Sequence, residues 1–195
     1  MKLFKILSLS LLAAAIVACN DKKEPEVTNV SDEEIDSVGI ASLRDYNRSD
    51  TMKIDGRTYK FTYSREHIDT MRTVINAQGL EYYESRVSVK VTTGDELVFN
   101  KTFYKRDFRD YVPKDELSLS TMVGVNFNYV KRQEDRSALY FIISVGDPDE
   151  ASDMVWPFEL KIATNGTYTI TKANDLDTGP INPGMNVDPD EDAEV

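Results

Sequence analysis

The sequence predicts an all-β fold, mainly antiparallel, in which a meander forms a β-sandwich or an open barrel with one short helix. Apolar and polar residues alternate along several short segments between residues 51 and 178, which is typical of half-buried strands. Two-residue turn signals lie between such segments: Asp55-Gly56, Gly94-Asp95 and Asn165-Gly166. Turns of this kind tolerate positive φ and join antiparallel neighbours.

The chain begins with the features of a signal peptide. Lys2 and Lys5 precede an apolar run over residues 6–17. The run is too short to cross a membrane as a helix, which needs about 20 apolar residues. The following Ile16-Val17-Ala18-Cys19 resembles the lipobox of bacterial lipoproteins. That resemblance implies that residues 1–18 are removed and that Cys19 carries the lipid, and two or more acyl chains anchor a domain stably.

The alternative for Cys19 is an ordinary signal peptide with an incidental cysteine. In an exported protein such a residue would be an exposed thiol that tends to be oxidised. The sequence has one cysteine, so an intramolecular disulfide is impossible.

Residues 19–50 predict a flexible polar tether after the lipidated cysteine, because acidic and polar residues dominate there. A short helix is the alternative for part of it, since Ser31-Asp32-Glu33-Glu34 has the form of a capping box. At the other end, residues 179–195 predict a disordered acidic tail rich in Pro, Gly and Asn.

Residues 51–178 predict the β domain. Four segments alternate, with these residues on the apolar face: Tyr59, Phe61 and Tyr63; Val87, Val89 and Val91; Val123, Val125, Phe127 and Tyr129; Trp156, Phe158, Leu160 and Ile162. The segment Ala138–Val145 is apolar on both faces and predicts a central strand.

Proline positions refine this pattern. Residues 105–117 predict the one helix, with Phe108, Tyr111 and Val112 as its apolar residues and Pro113 as its end. Pro157 predicts a sheet edge or the first residues of a strand, because proline cannot donate to a strand ladder.

The charge balance argues against nucleic acid as a partner. The chain has 34 acidic and 23 basic residues and a net charge of −11. Removal of residues 1–18 takes away Lys2 and Lys5 and no acid, which leaves −13. Binding to nucleic acid or to anionic lipid headgroups depends on clustered Lys and Arg, so the lipid at Cys19 is the expected membrane contact.

The residue types that catalysis needs are sparse, so we expect no enzyme and no cofactor. His67 is the one histidine, and a surface position is favoured over a role as a general base. The loop Gly146–Asp153 offers weak candidate ligands for Ca²⁺: Asp147, Asp149, Glu150 and Asp153. This loop lacks the EF-hand spacing, so a solvated turn is favoured.

Two adjacent aromatic pairs, Tyr82-Tyr83 and Phe103-Tyr104, lie in predicted strands. One member of each pair must point outward, because neighbouring side chains alternate between faces. An outward tyrosine can stack on a sugar or a partner, but packing on the sheet face is favoured.

Several strings in the β domain occur in an order that resembles a known family: GDELVFNKTFYKRDF, GVNFNYV, LYFIISVGDPDE and PFELKIATNGTYTITKANDLDT. They resemble a family of uncharacterised lipoproteins from gut Bacteroidota, domain of unknown function 4738. The resemblance implies a lipoprotein of the cell envelope and supplies no activity, ligand or catalytic residue.

The function expected from the sequence is therefore a cell-envelope lipoprotein of the outer membrane. Its β domain would be a non-catalytic binding or scaffolding module with a protein or glycan partner. Two alternatives are a lipocalin-like barrel that carries a small apolar ligand and a carboxylate-dependent hydrolase. The sequence leaves open whether the domain faces the periplasm or the cell surface.

Overall fold

The computed structural model of the protein describes residues 33–36 and 39–173. The predicted signal peptide, the lipid-bearing Cys19 and the predicted tail 179–195 lie outside the described residues. In the described part, no helix is both long and apolar enough to cross a membrane.

Strands account for most of the described residues. They are β1 Glu33–Ile35, β2 Ala41–Leu43, β3 Tyr46–Ile54, β4 Arg57–Ile68, β5 Val74–Ile75, β6 Glu81–Tyr82, β7 Glu84–Thr93, β8 Glu96–Phe103, β9 Thr121–Phe127, β10 Ala138–Gly146, β11 Val155–Ala163 and β12 Tyr168–Lys172. The helices are a 3₁₀ helix Lys105–Phe108, α1 Lys114–Ser118 and α2 Tyr129–Glu134.

The strands form two large sheets and one small one. The first sheet has the order β3-β4-β7-β8 and the second β12-β11-β10-β9, and every pair in both is antiparallel. The small sheet, β1-β2-β6-β5, contains a parallel contact between β2 and β6. The all-β, mainly antiparallel prediction is confirmed.

Aromatic side chains fill the space between the two large sheets. The Phe61 ring of the first sheet lies 4.5 Å from Phe127 and 5.5 Å from Phe141, both in the second sheet. Phe108, from the 3₁₀ helix, lies 4.6 Å from Phe158 and is fully buried. The fold is therefore a sandwich with a packed core and not a closed barrel, so the lipocalin-like alternative is wrong.

The predicted hairpins are present. Asp55 and Gly56 both have positive φ, 50° and 77°, in the two-residue turn between β3 and β4. Gly94, with φ of 57°, lies in the turn between β7 and β8. Gly166 lies in a longer turn between β11 and β12, and a Cβ there would be 2.3 Å from the carbonyl oxygen of Val98. That turn therefore packs directly on β8.

The prediction that Pro113 ends a helix is wrong. The segment before it forms only the short 3₁₀ helix, and Pro113 is the residue from which α1 begins. Proline suits the start of a helix, since its missing N–H would have no partner in the first turn. The buried residues of this segment are Phe108 and Val112, whereas Tyr111 is exposed.

The alternation predicted for β9 holds over only part of the strand. Val125 and Phe127 are buried, but Val123 is half-buried and Met122 is buried in its place. The ladder with β10 shifts register there, because Ser144 pairs with Gly124 while Val145 pairs with Met122. A β-bulge of this kind reverses the side-chain phase. Tyr129, which the alternation assigns to the strand, is instead the first residue of α2.

The strands start before the predicted end of the tether. β1, β2 and the first part of β3 lie within residues 19–50, and Ala41 and Leu43 are buried. The possible helix after Ser31 is also wrong, because residues 33–35 pair as a strand with residues 41–43. β1 and β3 form strands by pairing with the next strand along the chain, and β2 also pairs with the distant β6 through Ala41 and Tyr82.

The second sheet confirms two further predictions. β10 lies between β9 and β11 and is mostly buried, as expected of a central strand. Pro157 is the third residue of β11, and the ladder between β11 and β12 begins only at Phe158. The missing N–H of the proline is therefore not needed for that ladder.

Candidate binding groove

An open groove of about 310 Å³ lies where β11 begins and β12 ends. Its walls come from α1, from the loop between β10 and β11, and from the end of β12. The lining residues are Glu116, Asp153, Met154, Val155, Trp156, Pro157, Lys172 and Ala173. The volume is at the lower end of the range of about 300–1,000 Å³ for small-molecule sites.

Trp156 is held in a fixed orientation in this groove. Its indole Nε1–H donates a hydrogen bond to the Glu116 carboxylate at 2.8 Å. The Lys172 ammonium lies over the indole, 4.9 Å from the ring centroid, a cation–π arrangement. The indole is half-buried and packs against the edge of the core. A carboxylate and an ammonium group therefore lie beside the indole ring.

The loop between β10 and β11 forms one wall of the groove. Gly146 lets the first and last residues of this loop lie close together. The backbone N–H of Asp147 donates to the carbonyl oxygen of Met154 at 2.9 Å. A Cβ on Gly146 would lie 2.5 Å from that same oxygen. Any larger residue at position 146 would push the Met154 backbone, and hence the groove wall, out of place.

The four candidate calcium ligands of this loop do not converge. The buried Asp147 carboxylate accepts hydrogen bonds from the backbone N–H groups of Ala77 and Asp149. Asp149 accepts from the N–H of Ala151. Asp153 is exposed and lines the groove. Among the described residues, no group of three or more His, Cys, Asp or Glu is placed to hold a metal ion, Glu150 included.

A buried ion pair ties the two sheets together at another place. The Glu84 carboxylate, at the start of β7, lies 2.6 Å from the Lys105 ammonium, and the side chains are 11% and 20% exposed. Lys105 also donates to the carbonyl of Ser120, and Thr121 accepts from the N–H of Ser85. Burial raises the pKa of Glu84, and Lys105 opposes that rise. These contacts are structural, because they join β7 to β9.

A second polar cluster holds the loop after α2 on the outer face of the second sheet. The Asp135 carboxylate accepts hydrogen bonds from the hydroxyls of Ser137 and Tyr140 and lies 3.0 Å from the Lys161 ammonium. These donors lower the pKa of Asp135, that from Ser137 most strongly. Tyr140 is almost fully buried beneath the loop.

His67 lies at the surface as the sequence predicts, whereas Tyr83 and Tyr104 lie just outside the strands in which both aromatic pairs were expected. His67 is exposed, and its Nδ1 is 3.1 Å from the Asp45 carboxylate. Tyr82 and Phe103 are buried. Tyr83 and Tyr104, their neighbours in sequence, are both half-buried, and the Tyr83 hydroxyl donates a hydrogen bond to the Asp36 carboxylate at 2.6 Å.

Sequence reasoning placed Trp156 on a core-facing strand but missed its groove. Glu116 and Lys172 are 40 residues before and 16 residues after the tryptophan, so no local pattern links them. The signal that was available is the single tryptophan at the very start of a strand, next to an acidic loop.

Comparison with protein families places the chain in one of them. No curated protein matches the chain. A family model described as domain of unknown function (DUF4738) matches residues 26–170, which include almost all of the two large sheets. This range also begins well before residue 51, in agreement with the early strands of the structure. The chain belongs to that family, the domain of unknown function DUF4738.

Proposed function

We propose that the protein is a Bacteroidota lipoprotein, anchored in the outer membrane through Cys19, whose β domain is a non-catalytic binding module. We further propose that the groove at Trp156 binds a short saccharide. The observation that carries this proposal is the groove itself: a half-buried indole flanked by two carboxylates and an ammonium group. The filled core supports a site on the surface, since it leaves no room for a ligand between the sheets.

The groove offers what a sugar ring requires. The part of the half-buried indole that the core and the Lys172 ammonium leave exposed offers apolar surface to the C–H face of a sugar. Carboxylate oxygens of Glu116 and Asp153 can accept hydrogen bonds from sugar hydroxyls, and the Lys172 ammonium can donate them. Met154 and Val155 add apolar surface beside the ring. A volume of about 310 Å³ suits a short saccharide better than a large ligand.

Binding without hydrolysis is the better proposal for these carboxylates. The general acid of a glycosidase is a carboxyl group kept protonated by an apolar, desolvated environment. Asp153 is exposed, and the half-buried Glu116 already accepts the indole N–H. These surroundings support a role in hydrogen bonding to a ligand.

Tryptophan fluorescence tests the groove directly, because Trp156 is the one tryptophan of the chain. The full chain would be titrated with maltose, cellobiose and chitobiose, and the emission recorded. We expect a saturable change with at least one of them. Asp153→Asn should weaken binding at least about tenfold, since a charged hydrogen bond contributes about 1.5–3 kcal/mol and about 1.4 kcal/mol is tenfold. Asp115→Asn is the matched control, as Asp115 is exposed on α1 and does not line the groove.

Three results would overturn the saccharide proposal. One is the absence of a saturable change with every sugar. The second is an equal loss of affinity in the Asp115→Asn control. The third is release of monosaccharide from a disaccharide probe, which would favour the carboxylate-dependent hydrolase.

The anchor has its own test. A Cys19→Ala variant should move from the membrane pellet to the soluble fraction and should not incorporate radiolabelled palmitate. A Ser8→Ala variant keeps the lipobox and should still pellet. If Cys19→Ala remains in the pellet after a salt wash, the lipid anchor is refuted.

A further inference from the structure

The outer face of the first sheet is basic although the chain is acidic. Tyr59, Phe61 and Tyr63 of β4 are buried against the core, so the residues between them point away from it. The outer residues at the middle of the sheet are threonines, serines, asparagines and three exposed lysines: Lys53, Lys60 and Lys90. This Lys and Thr surface is called the basic face below.

The register of the strands places the three lysines in one straight diagonal row. Lys60 on β4 is paired with Thr51, two residues from Lys53 on β3. On its other side Lys60 is paired with Thr92, two residues from Lys90 on β7. Diagonal neighbours of this type are about 7–8 Å apart. The row therefore crosses three adjacent strands with evenly spaced positive charges.

These charges are not neutralised by carboxylates of the described residues. None of Lys53, Lys60 and Lys90 takes part in an ion pair there. Arg86 and Glu66, farther along the same face, pair with each other at 2.8 Å and add no net charge. In a chain with a net charge of −11, an unpaired row of lysines is a local surplus of positive charge.

We propose that the basic face binds a linear acidic polysaccharide. Its carboxylate or sulfate groups lie against the lysine row, and its hydroxyls bond to the threonine hydroxyls between the lysines. A polymer is required because a single exposed ion pair contributes only about 0–1 kcal/mol, so several must act together. This site is separate from the groove at Trp156, which lies at the end of the second sheet.

Two other polyanions fit the face less well. Single-stranded nucleic acid binds through aromatic side chains on which bases stack, and the row contains only Lys and Thr. An anionic membrane surface is bound most stably when several apolar side chains are inserted as well, whereas the lysine row has a single exposed leucine beside it, Leu97, paired with Thr92 on the edge strand β8. Hydroxyl groups beside charges favour a ligand that is itself rich in hydroxyls.

The test measures binding of the full chain to immobilised chondroitin sulfate and polygalacturonate, with neutral dextran as the control surface. We expect the dissociation constant to rise at least tenfold in the variant K53Q/K60Q/K90Q. A matched variant, R72Q/R109Q/K114Q, removes the same charge from exposed positions outside the sheet and should bind like the wild type. Binding should weaken as the salt rises from 50 to 300 mM, as the Debye length shortens.

Any of three results would overturn the proposal. They are equal loss of binding in the two triple variants, equal binding to dextran, and binding to phosphatidylglycerol vesicles without binding to either acidic polysaccharide. Circular dichroism of both variants shows whether they fold, so that a loss of binding is assigned to the lysines.

Discussion

The side-chain hydroxyl of Tyr46 accepts a hydrogen bond from the backbone N–H of Val125 at 2.7 Å and donates one to the carbonyl oxygen of the same residue at 2.8 Å. Tyr46 lies in β3 and Val125 in β9, which are edge strands of different sheets. Arg65 of β4 extends this pattern, since its guanidinium donates to the carbonyl of Val123. Side chains of the first sheet thus satisfy the backbone at an edge of the second, where unpaired groups invite association with other chains.

Replacement of this tyrosine should destabilise the sandwich. Tyr46→Phe keeps the ring but leaves the N–H and C=O of Val125 without their partner, at a cost of about 1–3 kcal/mol. Urea denaturation followed by circular dichroism measures it. Tyr111→Phe is the control, because the Tyr111 ring packs on Phe158 while its exposed side chain has no hydrogen bond to a described residue. Equal stability of Tyr46→Phe and the wild type would contradict this account of the edge.

The Glu84–Lys105 pair predicts a pH dependence. The folded-state pKa of Glu84 lies above its ordinary value of 4.5 because of burial, so its contribution to stability is present below pH 4.5 and is lost as pH rises through the folded-state pKa. Lys105→Gln removes the charge that opposes this rise. We expect the variant to lose about 2 kcal/mol at pH 7 and much less at pH 4.

Urea denaturation midpoints of Lys105→Gln and the wild type, measured at both pH values, test this prediction. Lys114→Gln, at an exposed position on α1, is the control and should match the wild type at both. A Lys105→Gln variant that is equally destabilised at pH 4 and pH 7 would show that the charge of Glu84 is not responsible.

The contribution of Asp135 to stability should depend on pH in the opposite direction. Its pKa is lowered below the ordinary value of 3.8 by its hydrogen bonds, first of all from Ser137, so its contribution is present above pH 3.8 and is lost as pH falls through the folded-state pKa. Asp135→Asn should therefore lower the melting temperature at pH 7, and the difference from the wild type should shrink at pH 3. A difference that stays constant between these pH values would refute this.

Gly146 should tolerate no side chain. Gly146→Ala places a Cβ 2.5 Å from the Met154 carbonyl oxygen, and overpacking of this kind costs about 1–3 kcal/mol. It should also change the fluorescence of Trp156, because the groove wall must move. Gly124→Ala is the control, since a Cβ there meets its nearest atom, the Tyr46 hydroxyl, at an ordinary 3.5 Å. Unchanged stability and emission in Gly146→Ala would contradict the tight loop.

Much of the sandwich could be predicted because its strands follow simple alternation. Phe61 and Val89 are buried where a period of two places them, and Asp55-Gly56 forms a two-residue turn. Alternation fails where backbone geometry intervenes. The bulge at Val123 reverses the phase of β9, and the neighbouring Gly124 is the one residue of the segment that could have indicated it, because glycine inside a strand often marks a bulge.

Other elements depend on contacts distant in sequence. β2 is only three residues long, and it joins a sheet because Ala41 pairs with Tyr82, far along the chain, while β1 pairs locally with β2. The groove has the same origin, since α1, the β10–β11 loop and the end of β12 supply its walls. Each wall is ordinary in sequence, and only the fold brings Glu116 and Lys172 to the same indole.

The most direct test of saccharide binding at Trp156 is the NMR spectrum of the ¹⁵N-labelled chain titrated with the disaccharide that binds best. A single tryptophan gives a single indole N–H resonance, that of Trp156. We expect this resonance and the backbone signals of Asp153 to Pro157, proline itself excepted, to shift together as the sugar saturates the groove. Shifts that leave the indole resonance in place and map to another surface would contradict the binding groove.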